Sequence, residues 1–377
     1  MTVRSVAERV ALVLAAVAAT LVVLEIGLRV LAPMPYSTDL RWLPDGHVKA
    51  RLDPQQVAIN EHGNRVQLNS LGFRGPEPAP EPAPETIRVV VLGGSSTFCY
   101  DVTDDAHTWP ARLAMLLTQA VGSPVEVVNL GLPGYDAANS KVNYLFTGRA
   151  LHPHVVVVYH TWNDLKLLRA VDRSPMLPRD ALSGRSGASS NVSALAQLLW
   201  NAQLSQRVRR AYLGLRDGAW ETYYGSLEGT GRDAEAPIGE RGWRWFRQNF
   251  VDLVRFARSD GALPVLVSEA TLVHPDALGD EPRRTSIRNE LLDMTLPRLV
   301  ETWPQTVHIL RDVAATEGAV FVDGYDAVPG DLQHLRDHVH LTDAGAERLA
   351  EAVAAGIVAD PRFRALVARV RAAPARP

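Results

Sequence analysis

From Ile87 onward the chain alternates between short, β-branched apolar runs and longer stretches of helical spacing. "IRVVVLGG" (Ile87–Gly94), "VEVVNLGLPG" (Val125–Gly134), "VVVVYHTWND" (Val155–Asp164), "LPVLVSEA" and "VFVDGY" read as five strands. Between and after them, "HTWPARLAMLLTQAVG", "YDAANSKVNYLFTGRAL", "FVDLVRFARSDGA", "LPRLVETWPQTVHILRDVAATEGA" and "TDAGAERLAEAVAAGIVA" carry apolar residues at helical spacing. Pro304 falls inside the fourth of these, which still reads as mostly helical. The last opens at Thr342 or Asp343, both good N-caps. Strand runs that are apolar at consecutive positions belong to a sheet buried on both faces. The expected fold class is therefore α/β, a parallel sheet with helices on both faces and right-handed crossovers.

Two regions depart from this rhythm. Residues 165–245 hold the loop-like "RSPMLPRDALSGRSGASSN", a helical pattern around "SALAQLLWNAQLSQRVRRAYLGL", and Trp200, Trp220, Trp243 and Trp245. This insertion reads either as a lid facing substrate or as an inert surface addition. The other region is the N-terminus. Arg4 and Arg9 precede an uncharged run from Val10 to Leu24, which continues to Ala32 past Glu25 and Arg29. The uncharged run alone is short for a bilayer, but the extension with a Glu–Arg pair at i,i+4 gives an adequate length. A membrane anchor, a cleaved signal peptide and a buried helix all fit, and the anchor is the reading carried forward. Basic residues ahead of the run place the N-terminus inside and the bulk of the chain outside the cytoplasm. The expected organisation is an anchor over 1–32, a membrane-proximal segment and linker over 33–86, and a main domain over 87–377. Within the linker, "PEPAPEPAPE" (Pro76–Glu85) puts proline at every second position, which favours a stiff extended spacer.

Composition narrows the function classes. A formal charge of -3 gives no electrostatic footprint for nucleic acid. A single cysteine, Cys99, excludes an internal disulfide framework and a thiolate metal cluster. "DVTDD" (Asp101–Asp105) lacks the spacing of a calcium loop and reads as solvated. "HPH" (His152–His154) precedes the third strand and so lies at the wrong end of the sheet.

Ligands of open parallel sheets bind outside the carboxyl ends of the strands. Those ends hold Gly93, Gly94, Ser95, Ser96 and Thr97; Asn129, Gly131 and Gly134; Thr161, Trp162, Asn163 and Asp164; and, after the fifth strand, Asp337, His338 and His340. A serine needs a base within hydrogen-bond reach, and the base needs an orienting partner. Ser95, His340 and Asp337 can fill those roles. Acyl transfer also needs donors at the developing oxyanion, for which the Ser95 N–H, the backbone at Gly134 and the Asn163 amide are candidates. Each feature also has a plainer reading: a tight turn at Gly93–Gly94, turn chemistry at Gly134, a helix cap at Asn163–Asp164, a loop carboxylate at Asp337 and a core histidine at 338 or 340. "GGSST" alone could also cradle phosphate or flavin, although it lacks a P-loop lysine and leaves Asp337 and His340 unexplained.

Taken together, these motifs resemble the SGNH, or GDSL, hydrolase family, over about Ile87–Ala359. The usual Gly-Asp-Ser block corresponds to Gly93-Gly94-Ser95, the second-block glycine to Gly134, Gly-x-Asn-Asp to "TWND" with Asn163, and Asp-x-x-His to Asp337 and His340. Gly94 stands where the family has aspartate and Thr161 where it has glycine. "GGSST" and "NSLGFRG" are similar to membrane-anchored bacterial members. The resemblance implies a three-layer, flavodoxin-like α/β/α fold, Ser95 as nucleophile, an oxyanion hole of Ser95, Gly134 and Asn163, and no metal or cofactor. It implies action on acetyl or acyl esters of carbohydrates, lipids or small molecules. An O-acyltransferase with the same triad and a non-catalytic glycan-binding protein are the alternatives.

Overall fold

The computed structural model describes residues 12–23, 40, 42–43, 45, 47–48, 51–59, 65–173, 234–287, 292 and 294–372. Five parallel strands form the central sheet: β1 (Ile87–Gly93), β2 (Val125–Asn129), β3 (Val155–Tyr159), β4 (Leu263–Val267) and β5 (Val320–Val322). Their spatial order is β2-β1-β3-β4-β5, the flavodoxin-like arrangement, with its switch point between β1 and β3. The helices are α1 (Ser95–Phe98), α2 (Trp109–Val121), α3 (Ala137–Asn143), α4 (Trp162–Arg173), α5 (Glu240–Ser259), α6 (Glu281–Ser286), α7 (Leu296–Glu317), α8 (Gly324–Ala327), α9 (Asp343–Ala359) and α10 (Pro361–Ala372). Helices α2 and α9 pack together over one face, while α5 packs against α4, α7 and β4 over the other.

The strands are apolar on both faces because both are covered. Every residue of β1, β3 and β4 is buried, whereas edge strand β2 is half-buried over its first three residues. Both β2 and β3 stop five residues short of the quoted runs. Beyond Asn129, the Asn129 side-chain carbonyl accepts the Gly131 N–H at 2.9 Å and bends the chain. Beyond Tyr159, α4 begins at Trp162. Pro304 lies inside α7, and α9 is capped by Thr342, whose hydroxyl accepts from the Gly345 N–H at 3.2 Å.

The segment ahead of the sheet is docked rather than free-standing. Leu52, Val66, Leu68 and Phe73 join the main core. Arg74 of "NSLGFRG" is buried, pairs with Asp105 at 2.7 Å, and donates to the carbonyls of Phe98 and Cys99 at the end of α1. The proline-rich stretch lies along the domain, held by Arg88. That fully buried guanidinium donates to Ala79 O at 2.6 Å, Leu151 O at 2.7 Å and Glu126 Oε2 at 2.7 Å. A stretch with few N–H donors of its own is thus fixed through its carbonyls.

Of the expected anchor, 1–32, only residues 12–23 are described, as a helix exposed throughout. No helix among the described residues is long and apolar enough to cross a membrane. Of the expected insertion, 165–173 continues α4 and 240–245 opens α5. Its remainder over 174–233, with Trp200 and Trp220, lies outside the described residues.

Arg88→Ala removes a buried cation from several acceptors at once. It is expected to lower unfolding free energy by about 3 kcal/mol in urea titration, with an unchanged m-value. A loss below about 0.5 kcal/mol would contradict the clamp.

Candidate active site

Parallel register brings the strand ends into one row. Gly93 lies opposite Tyr159, Tyr159 opposite Val267, and Val267 opposite Val322. The chain leaves this row at Gly94 and turns at once into α1, with Ser95 as its first residue. Gly93 has no room for a side chain, since a Cβ there would come within 1.8 Å of Thr97 Oγ1 and 2.9 Å of Tyr159 O. Asn129 braces the far end of α1, donating from Nδ2 to Thr97 O at 2.9 Å.

Ser95, distant in sequence from His340 and Asp337, forms one hydrogen-bonded chain with them. Ser95 Oγ lies 2.7 Å from His340 Nε2, and His340 Nδ1 lies 2.8 Å from Asp337 Oδ2. The other Asp337 oxygen accepts the N–H groups of Val339 at 3.1 Å and His340 at 3.0 Å. These two bonds wrap the loop around its own carboxylate and set the imidazole edge toward α1. His338 takes a different part: its ring packs tilted against Trp162, with centroids 3.9 Å apart, and its carbonyl accepts from Leu272 N–H and Thr271 Oγ1.

Electrostatics follow from this geometry. Burial alone would raise the Asp337 carboxyl, but the charge of His340, its hydrogen bond and the backbone donors hold it well below the ordinary carboxylate range. Burial alone would lower His340, but the charge and hydrogen bond of Asp337 raise it above the ordinary imidazole value.

Gly134 and Asn163 border the same turn. Gly134 adopts φ +78° after Pro133, and Tyr135 N–H donates to Leu132 O at 3.1 Å, a turn that favours glycine at this position. A Cβ on Gly134 would meet nothing within 4 Å, so the glycine answers to its dihedral and the space beside it is open. Asn163 Nδ2 donates to Tyr135 O at 2.9 Å. A Cβ at Gly94 would stand 3.0 Å from both Asn163 Nδ2 and Tyr135 O. The Asn163 amide is therefore directly beside the turn that carries Ser95, and the position where the resembling family carries aspartate is filled by its neighbours. Asp164, expected as a possible cap, instead accepts the Ala137 N–H at 3.0 Å and ties α4 to α3.

One residue at this edge was missed in sequence. Glu269 is buried just past β4, and its carboxylate accepts from Ser96 Oγ at 2.9 Å and from Trp162 N–H at 2.7 Å. Its signal was available, a carboxylate two residues past an apolar strand in "LPVLVSEA", but no motif carried it. Among the described residues, no group of three or more His, Cys, Asp or Glu is placed to hold a metal ion.

Gly94→Ala places a methyl group against the Asn163 amide. It is expected to lower kcat for ester turnover about 10-fold by displacing that amide, with the fold intact by circular dichroism. Wild-type kcat in this variant would contradict the crowding.

Three solved structures are among those similar to this chain. An acetylxylan esterase from Geobacillus stearothermophilus is 14% identical, with a TM-score of 0.41 over 73% of this chain and 94% of that one. TesA is 19% identical, with a TM-score of 0.41 over 72% of this chain and 97% of that one. An alpha/beta hydrolase enzyme from the metagenome of Lake Arreo, Spain, is 14% identical, with a TM-score of 0.40 over 72% and 94%. Among curated proteins none matches the chain. Residues 91–348, more than half of the sequence and the whole of the rim described above, match the GDSL-like Lipase/Acylhydrolase family. The chain thus belongs to the GDSL-like lipase/acylhydrolase family and is a hydrolase acting on ester bonds.

Proposed function

We propose that the chain is a serine esterase that cleaves an acetyl or acyl ester, carried by a glycan, a lipid or a small molecule, through an acyl-enzyme. The observation that carries this reading is the continuous chain from Ser95 Oγ through His340 to Asp337, with links of 2.7 and 2.8 Å. Neutral His340 accepts the Ser95 proton at Nε2 as Oγ attacks the ester carbonyl carbon. Asp337 accepts the Nδ1–H, holding the tautomer that leaves Nε2 free and stabilising the imidazolium that forms. The Ser95 N–H, the Gly134 N–H and the Asn163 amide donate to the oxyanion. His340 then returns the proton to the leaving alkoxide, which departs as an alcohol. A water, deprotonated by the same imidazole, releases the acid and restores Ser95.

A nitrophenyl ester series of increasing acyl length, with acetylated glycans alongside, tests activity and substrate class together. Ser95→Ala is expected to abolish turnover, and Asn163→Ala to lower kcat about 10²–10³-fold. Undiminished turnover by Ser95→Ala would sink the proposal. Acyl transfer to an added sugar in preference to water would turn it to an O-acyltransferase.

The pH dependence has a definite sign. The base must be neutral, and His340 is raised above the ordinary imidazole value of 6.5. Activity is therefore lost as pH falls through that raised value, so the acid limb of kcat/KM lies above 6.5. An acid limb at or below 6.5 would contradict the coupling of His340 to Asp337.

We further propose that the apolar N-terminal segment anchors the protein in a membrane, with the hydrolase domain outside the cytoplasm. The support is the apolar run after Arg4 and Arg9, and the exposure of Leu12, Val13, Leu14 and Val17 on the helix at 12–23. Full-length protein is expected in the membrane fraction, accessible to externally added protease. Recovery of an intact, full-length chain in the soluble fraction would refute the anchor.

A further inference from the structure

Glu269 is a buried carboxylate at the strand ends that the proposed mechanism leaves unused. Only 5% of it is exposed, and burial pushes its carboxyl up to about 7. A buried carboxylate is costly unless both oxygens are engaged. Here each oxygen accepts from a different segment. Ser96, which donates its hydroxyl to Oε1, directly follows Ser95. Trp162, which donates its N–H to Oε2, directly precedes Asn163. Both partners are themselves fixed: the Trp109 Nε1–H donates to Ser96 O at 3.2 Å, and the Trp162 ring packs against the His338 ring. The carboxylate is fixed too, because the next residue, Ala270, donates its N–H to Tyr159 Oη at 3.0 Å.

Resting on the esterase reading, we propose that Glu269 is a positioning residue, holding the Asn163 amide in register with the Ser95 nucleophile through one hydrogen bond to a neighbour of each. It touches neither reacting atom. It joins the turn that presents the nucleophile to the turn that presents a side-chain oxyanion donor, across the top of β1, β3 and β4. The donor's placement counts in the transition state more than in the ground state, so loss of the bridge falls on kcat and spares KM.

The bridge and the charge can be separated. In Glu269→Gln, the amide oxygen accepts from the Trp162 N–H and the amide NH2 donates to Ser96 Oγ, so the bridge survives without its charge. In Glu269→Ala both bonds are lost, and in Ser96→Ala only one. His340 is faced by Asp337, Asp101 and Glu269, and Glu269 is faced by His340 and Tyr159. Removing the Glu269 charge makes the imidazolium less favourable, so the acid limb moves to lower pH.

Steady-state kinetics on a nitrophenyl ester across a pH series, with wild type and the three variants, tests this. Glu269→Gln is expected to keep kcat within about threefold, with its acid limb shifted to lower pH; Glu269→Ala is expected to lose about 10²-fold in kcat with KM within about twofold. Ser96→Ala is expected to lose about 10-fold in kcat, and it decides the matter where Glu269→Ala fails to fold. Wild-type kcat in Glu269→Ala or Ser96→Ala, or a loss in Glu269→Gln as large as in Glu269→Ala, would overturn the proposal. Absence of turnover by wild type itself would overturn the esterase reading and this inference with it, which distinguishes the two failures.

Discussion

The register of the parallel sheet is the constraint on which everything else rests. Because β1, β3, β4 and β5 end on one row, through Gly93, Tyr159, Val267 and Val322, the first residues past each strand crowd the same few ångströms of space. Ser95, Asn163 and Glu269 are such residues, and the loop after β5 returns His340 to them. A slip of one residue in any strand would exchange its faces and move its loop by over 3 Å, enough to break hydrogen bonds of 2.7 Å.

Charge placement completes what register begins. Asp337 spends one oxygen on its own loop and the other on His340, so a single carboxylate both shapes the loop and orients the base. Glu269 divides its oxygens in the same way between two turns. Arg74 and Arg88 work from the opposite sign, fixing carbonyls of α1 and of the proline-rich stretch. The segment ahead of the sheet is thereby joined to the Ser95 turn, with Arg74 closing the C-terminal end of the helix that Ser95 opens.

Much of this was legible in the sequence because burial on both faces leaves an unmistakable run of β-branched residues, and because such strands place their chemistry at their carboxyl ends. The five strands, the α9 cap at Thr342, and the convergence of Ser95, Asn163, His340 and Asp337 on one rim follow from that. Where β2 and β3 end was not legible: apolar residues continue past Asn129 as Leu130 and Leu132, and past Tyr159 a short buried turn at His160 and Thr161 leads into α4. Gly134 was read both as an oxyanion donor and as plain turn chemistry, and its positive φ fits the turn. The docking of residues 65–86 depends on two buried arginines that hold backbone carbonyls as well as Asp105 and Glu126, and carbonyl acceptors carry no sequence signature. Glu269 escaped for a related reason: its partners are a hydroxyl and a backbone N–H on two other segments.

The central claim is that the chain Ser95–His340–Asp337 makes Ser95 a nucleophile. Its most direct measure is covalent trapping with a fluorophosphonate, read by intact mass and by mapping of the modified peptide. The account predicts a single adduct on Ser95 of the wild-type protein, formed much more slowly when His340 is replaced by alanine. An unmodified wild-type protein, or an adduct on another serine, would contradict it.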